Sequence, residues 1–379
     1  ISAEEIVRDR KILKRESFLN LSWFSYLNSK VFIMFAISAV QTIFFVLIGN
    51  LILGIRGMTL VYWIVLFSTS CLANMIGLTI SSAFDSVVTI YILIPFIIIP
   101  QLLFSGVLVK FDDLHRNSDS VSEFVPVLGD LMPARWSFEA LAVEQFKSNR
   151  YERNFFKYDM EISQNNWYAS FLTEALKKDL WLCRQYHDSQ EHSEIITQKL
   201  NRLSDYTEML SGLAGFERPP DALMGSPDRE RFTADAAERL EQYLDSLAGQ
   251  FRNIRKNNIV LKDSVTGALV SQMGKEAFIE LKEDYRNNKL REIVLDEYNA
   301  RKTIETPGRI IQRYEPVYMK PVSRTGRAQF YAPFKQIGTI QIDTFRFNII
   351  VLWIVSLMLY VALYFKLFKK AMNFGKRNY

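Results

Sequence analysis

The 379-residue chain is poor in the residue types that build most catalytic and disulfide-stapled proteins, with two cysteines and three histidines. Cys71 sits in an apolar run and Cys183 in the polar middle, so no intrachain bridge is expected and no disulfide framework reveals the compartment. His187 and His192 are five residues apart, a spacing that does not share one helix face, and His115 is remote from both, so all three read as solvated surface and not as a metal site. A phosphate loop is missing too: six residues separate Gly267 from Gly274-Lys275 where the loop has four, and no Ser or Thr follows the lysine. There is no fixed-period repeat, no low-complexity tract and no charged-apolar-small leader. The chain opens at Ile1 rather than Met, which leads us to expect a further portion upstream.

Charge and hydropathy are divided unevenly. Lys and Arg number 46 against 41 Asp and Glu, a net +5. Residues 1–30 hold six basic and four acidic side chains, 111–345 hold 32 and 36, and 346–379 hold six and none. Nearly all apolar density falls in the first 110 positions and the last 34, which excludes an ordinary soluble globule. A hydrocarbon core about 30 Å thick needs roughly 20 mainly apolar helical residues, and four windows supply them: 31–53, 60–81, 87–109 and 347–365. Basic residues precede the first window (Arg8, Arg10, Lys11, Lys14, Arg15, Lys30) and follow the last (Lys366, Lys369, Lys370, Lys376, Arg377). By the positive-inside bias both ends are cytoplasmic, so 110–345 is displayed outside. Trp23, Phe24, Tyr26, Tyr62, Trp63 and Tyr360 fall near the interfaces.

The windows are not uniformly apolar. The second carries Ser68, Thr69, Ser70, Cys71, Asn74, Gly77, Thr79 and Ser81, small and polar residues that let helices approach and bond, so this helix is expected in the interior. The third contains Pro95 and Pro100 and is expected to bend or break before Phe104-Ser105-Gly106. Gln41 and Asn348 are isolated amides. Such groups either hold helices together or line a path, and Gln41, Ser70 and Asn74 are the candidate path-lining residues. No charged side chain falls mid-window, which argues against a proton relay or ion pathway.

The 110–345 segment reads as mostly helical with a few short strands. Ile195, Ile196, Leu200, Leu203, Tyr206, Leu210 and Leu213 recur at helical spacing after a cap at Ser189. Ser226-Pro227 reads as the start of a second helix through Phe232, Leu240, Leu247 and Phe251, making an αα-hairpin with the first. A third helix is expected over 273–299, and Thr303–Asp343 holds β-branched residues, Pro and Gly in the manner of short strands. Charge runs such as Glu283-Asp284 and Arg301-Lys302 belong to solvated faces. Nucleic-acid binding is disfavoured, because the large polar segment is net acidic and external. The organisation predicted is therefore a cytoplasmic amphipathic segment (1–30), three spans (31–109), an external helical domain (110–345) and a last span with a basic tail (346–379).

Several stretches, taken in order, resemble the membrane half of a G-type, white-like ABC exporter. Lys14-Arg15-Glu16 followed by Ser25-Tyr26-Leu27 and Ser29-Lys30 is similar to the family's cytoplasmic coupling segment. Gly77 with Ser81-Ser82 resembles the small-residue end of its fourth span, and Phe104-Ser105-Gly106-Val107-Leu108-Val109 its Phe-Ser-Gly turn. Val125-Pro126, Met132-Pro133 and Phe138-Glu139-Ala140-Leu141 with Glu144-Gln145-Phe146 are similar to its short external helices. The likeness covers roughly 1–150 and 346–370, and about two hundred intervening residues have no counterpart in it. It implies a permease that exports a lipid-like or amphipathic cargo, works as a homodimer and couples to an ABC ATPase domain that binds ATP and Mg. It also implies a multi-pass inner (plasma) membrane location, a coupling contact at Arg15 and Glu16, and an external gate at Phe104, Ser105 and Gly106. No catalytic or metal residues are expected in this segment. The competing readings are a membrane-anchored scaffold whose external domain binds a periplasmic or extracellular protein, and a membrane-embedded enzyme using Ser105.

Overall fold

The computed structural model describes residues 2–16, 22–111, 124–187, 193–216, 232–306 and 308–370. Among these the chain is mainly helical. Helix α1 spans Ser2–Glu16, α2 Trp23–Leu53, α3 Thr59–Ala83 and α4 Val87–Leu103. Then come α5 (Val127–Asp130), α6 (Pro133–Ser148), α7 (Phe156–Trp167), a π-helical turn Tyr168–Leu172, α8 (Thr173–Gln185) and α9 (Ser193–Ala214). Helices α10 (Ala234–Met273), α11 (Lys275–Tyr285) and α12 (Asn288–Val294) lead to strands β1 (Thr303–Glu305), β2 (Ile310–Gln312), β3 (Phe334–Ile337) and β4 (Ile340–Asp343), and α13 (Thr344–Tyr364) follows. The strands form two antiparallel hairpins, with Ile304 opposite Ile311 and Lys335 opposite Ile342.

Helices α2, α3 and α13 are long and apolar enough to cross a membrane, and α4 is a shorter apolar helix. Helix α3 is the centre. Half of its most apolar window is buried, against about a fifth for α2 and α13, because α1, α2, α6 and α13 all pack on it. Trp63 Nε1 donates to Ala39 O of α2 at 3.2 Å, Thr69 meets Ser137 of α6 at 2.6 Å, and Trp353 of α13 donates to Ser68 at 3.0 Å. Helix α13 turns one face inward through Thr344, Asn348, Leu352 and Ser356, each four residues on from the last. Its N-cap Asp343 accepts from Phe345 N at 3.0 Å. The outward faces of α2 and α4 expose Phe32, Phe45, Ile92 and Phe96, the surface that a lipid tail would cover.

Two of the sequence expectations for the spans need correction. The first helix begins at Trp23, eight residues before the apolar window, because Trp23 and Tyr26 pack against Leu27, Met75 and Leu363 and extend the helical face. Helix α4 runs through Pro95 and Pro100 and ends at Leu103, six residues short of the window's end and at the break expected before Phe104. At about 1.5 Å per residue its 17 residues reach roughly 26 Å, and the Phe104–Val107 turn completes the distance.

In the outer segment α8, α9 and α10 close a core around Leu176, Leu180, Leu200, Leu203, Leu240, Leu244 and Phe251, which also takes in Trp167, Leu172 and Ile310. That core takes in Trp167 before the helical hairpin and Ile310 after it, so the hairpin is not its boundary. Buried Asp179 accepts from Arg202 Nε at 2.7 Å and pairs with Lys199, and Arg202 Nη1 reaches Thr306 O at 2.6 Å, which fixes α8, α9 and the β1–β2 hairpin together. A second core joins Val143 and Phe146 of α6 to Val294, Leu295, Val317 and Tyr318. The expected cap at Ser226-Pro227 and the one at Ser189 lie outside the described residues, as do His115, His192 and the basic tail beyond 370. Helix α10 instead opens at Thr233, whose side chain accepts from Ala236 N at 3.2 Å, and it runs for 40 residues. The single helix expected over 273–299 is interrupted at Gly274, φ +86°, and again before Asn288. Gly supplies the positive φ that lets the chain turn there.

Helix α1 lies on the opposite end of the bundle from the outer segment and closes on Gly77, where an added Cβ would come 2.2 Å from Ser2 Oγ and 3.0 Å from Ala3 N. We expect Gly77→Val to push α1 off α3 while leaving the spans inserted. A protease-accessibility time course should show faster cleavage within Ser2–Glu16 in membranes carrying the variant, and an unchanged pattern would contradict this packing.

Candidate functional site

Four places hold the polar chemistry of the membrane part, and α1 is the first. Its inner face is tied down by unusual means: the backbone N–H groups of Ile6 and Val7 both donate to Ser81 Oγ at 3.0 Å. Arg10 donates to Ser82 O at 3.1 Å and Phe84 O at 2.7 Å, and pairs with Asp85 in the α3–α4 turn. Lys30, about two turns into α2, bridges Glu5 and Asp9 at 2.7 Å each, and Tyr26 OH donates to Asp9 at 3.0 Å. Burial works to raise the Asp9 carboxyl, and the Lys30 and Tyr26 bonds outweigh it and hold it below its ordinary value. The other face leaves Arg8, Lys11, Lys14 and Arg15 exposed. Arg15 is thus on the open charged face, and Glu16 ends the helix beside it. Behind α1 a cleft of about 450 Å³ is lined by Arg10, Lys14, Lys366 and Lys369 together with Trp23 and Tyr26.

The second place is the α2–α3 seam. Asn74 Nδ2 donates to Ser38 Oγ at 2.7 Å and Ser70 Oγ donates to the same oxygen at 2.9 Å. Ser38 is buried, Ser70 and Asn74 half-buried, and Gln41 is exposed on α2. Two of the three candidate path residues therefore meet at one hydroxyl that the sequence did not single out, while Gln41 stands on the outer surface.

The Phe104-Ser105-Gly106 turn is the third. Buried Ser105 donates to Leu102 O at 2.9 Å and accepts from Val107 N at 3.3 Å, capping the end of α4. Gly106 has φ +79°, and a Cβ there would lie 2.7 Å from both the Phe111 and Phe330 rings. Those rings meet edge to face at a centroid distance of 5.0 Å. A mainly apolar cavity of about 270 Å³ opens beside the turn, with Phe138, Ile293 and Tyr331 in its wall. The turn is thus locked to the outer segment by aromatic packing.

The fourth place was not legible in the sequence. Glu139 on α6 is fully buried; Lys335 Nζ donates to its Oε1 at 2.7 Å and Asn348 Nδ2 of α13 donates to its Oε2 at 2.9 Å. Arg135, one turn earlier and 1% exposed, lies 3.5 Å from Glu139 Oε2 and 3.7 Å from Asp130, with its guanidinium 4.0 Å over the Trp136 ring. Asn348 is therefore not an isolated amide. Burial would raise the Glu139 carboxyl, but Arg135 and Lys335 overcome it and keep the group below its ordinary value. Burial also draws the Lys335 ammonium down to about 8, against the pull of Glu139. The Arg135/Glu139 pair at i,i+4 was the one local signal, and nothing near Lys335 marks its partner 196 residues away.

Residues 2–146 match the family described as ABC-2 type transporter, which supports an ABC-2 permease in the membrane. Its span takes in α1 to α4 and nearly all of α6, and so includes the turn, the seam and Glu139. Permease domains of this kind generally work with an ATPase. No curated protein and no solved structure matches the chain.

Removing one partner of a buried ion pair leaves the other charged in a medium that cannot solvate it. Lys335→Met should therefore lower stability by about 3–5 kcal/mol. Glu139→Gln combined with Lys335→Met should recover most of that loss. Thermal melts of the detergent-purified protein would check both, and equal melting temperatures for Lys335→Met and the unaltered chain would remove the cluster from the account of stability.

Proposed function

We propose that the chain is the transmembrane permease part of an ATP-driven exporter that moves a lipid-like or amphipathic molecule out of the cytoplasm or the inner leaflet. The observation that carries the reading is the mounting of α1: one face is bonded to the end of α3 through Ser81 and Ser82 and closes on Gly77, and the opposite face is an exposed row of charge. A lever between a moving ATPase and a membrane helix needs that geometry, one side held and one side offered to a partner whose contacts differ between its nucleotide states. Arg15 and Glu16 are the contact, and ATP with Mg belongs to the ATPase domain and not to these residues. A second protomer, forming a homodimer, completes the path, with Gln41 facing it and Ser70 and Asn74 supporting the helix behind. The apolar spans with small polar residues suit an amphipathic cargo better than an ion.

In this reading Phe104, Ser105 and Gly106 form the external gate. What supports the assignment is the coupling of the turn to the Phe111 and Phe330 rings, which leaves the end of α4 no freedom to move without the outer segment. The chain lies in the inner (plasma) membrane with both ends cytoplasmic. Three helix ends fit an even number of crossings: the Gly54–Met58 turn meets the outer segment through Arg56 and Asp284, while the α3–α4 turn meets Arg10 of α1 and the end of α13 packs with Ile6 of α1 and Trp23 of α2.

Exchanging the charges, Arg15→Glu with Glu16→Arg, tests the coupling contact. Exposed charges contribute little to stability, so assembly should stay near normal. Cargo-stimulated ATP hydrolysis in proteoliposomes should fall to the basal rate, and a variant with unaltered stimulation would rule the contact out. Orientation needs a different probe. Cys183 is fully buried and its thiol is pushed up to about 12 by burial, so it will not report on sidedness. Tyr298, 79% exposed in the outer segment, will. Tyr298→Cys should be labelled by a membrane-impermeant maleimide in intact spheroplasts, whereas labelling only after lysis would invert the arrangement.

A further inference from the structure

In the outer segment, mostly beyond the family match, a cavity of about 350 Å³ opens between the end of α7, the middle of α9 and the turn before β2. Its floor holds Gln164, 2% exposed, and Trp167, 4% exposed. Gln164 Nε2 and Trp167 Nε1 are buried and have no hydrogen-bond partner. At i and i+3 on α7 the two donors stand side by side on one helix face. Two unmet N–H donors in one wall are costly to leave unsatisfied, and they ask for an oxygen acceptor. The rings of Trp167, Tyr168 and Tyr206 supply flat apolar faces around them, and exposed Asp205 and Arg309 add an acceptor and a donor at the mouth.

We propose that this cavity is a binding site for a saccharide ring. A pyranose satisfies each feature at once. Its oxygens accept from Gln164 and Trp167, its hydroxyls donate to Asp205 and accept from Arg309, and its C–H face lies on an aromatic ring. A neutral ligand also suits a mouth whose charges are Asp205, Arg309 and a Lys320 already paired with Glu161. The volume falls in the range of small-ligand sites, which begins at about 300 Å³. The site belongs to the outer segment alone, so the inference does not rest on the transport reading, and its failure would leave that reading untouched.

The test is calorimetric titration of the detergent-purified full chain with glucose, galactose, mannose and N-acetylglucosamine, and with N-acetylalanine methylamide as a peptide-like probe. At least one sugar should bind saturably. Trp167→Phe keeps a ring and loses the N–H, and Gln164→Met keeps the bulk and loses the amide; each should weaken that sugar about fivefold, the effect of one neutral hydrogen bond. Asp205→Asn, at an exposed position, should weaken it as well and guards against misfolding of the two buried variants. Absence of saturable heat with all four sugars would overturn the site, as would unchanged affinity in folded Trp167→Phe, Gln164→Met and Asp205→Asn. Tighter binding of N-acetylalanine methylamide than of any sugar would overturn the ligand class.

Discussion

Helix α3 carries more hydroxyls and amides than hydrocarbon can tolerate, and the rest of the membrane part is arranged to cover them. Most of its polar residues are matched by a neighbouring helix. Ser68 receives Trp353 of α13, Thr69 meets Ser137 of α6, Ser70 and Asn74 share Ser38 of α2, and Ser81 takes two backbone N–H groups of α1. Thr79 is satisfied within the helix, by Met75 O at 2.7 Å. Without a hydrophobic drive between helices in lipid, such bonds and the close approach permitted by small residues are what select one arrangement of helices over another. The apolar residues of α2 and α4 could face lipid in any packing; those of α3 could not.

That constraint was legible in the sequence because it is local. A run of Ser, Thr, Asn and Gly inside an apolar window announces an interior helix without any knowledge of partners, and the four apolar windows gave the membrane helices to within a few residues at most ends. The charged turn of α1 was legible for the same reason. What could not be read were pairings across long separations. Glu139 looked like one residue of an external helix, Asn348 like a lone amide and Lys335 like one more charge near the chain's return to the membrane; only the fold shows that the three converge. Helix ends set by tertiary contacts were missed as well. Trp23 extends α2 because its ring has a place to pack, and α4 passes through Pro95 and Pro100 before it ends at Leu103.

The paired charges explain how the membrane part holds the long segment between α6 and β3. The chain leaves the bundle at the end of α6 and returns through the β3–β4 hairpin, and these two points are adjacent. Lys147 at the end of α6 pairs with Asp343 at the end of β4, while Glu139 on α6 holds Lys335 on β3. Thr344 then donates to Ala332 O at 2.5 Å as α13 begins. An insertion whose ends are pinned together adds little closure entropy to the bundle however long it grows, since that cost rises only logarithmically with length. The anchoring groups must be buried for this, because exposed pairs would not hold the junction.

The outer segment touches the membrane helices elsewhere too, but with groups of another kind. Arg56 and Lys110 reach Asp284 and Asp296, and both cations are more than half exposed. The ring of Tyr285 lies 3.5 Å from where a Cβ on Gly57 would stand. These contacts are replaceable by water at small cost, whereas the Glu139 cluster is not. Any rearrangement of the bundle will therefore break the outer contacts first and leave α6, α13 and the hairpin as one unit with the outer segment. Helix α3 is joined to that unit as well, Tyr62 and Thr69 bonding to Gln145 and Ser137 of α6 and Ser68 to Trp353 of α13. Helix α1, bonded through Ser81 to the far end of α3, is joined to the unit through that helix.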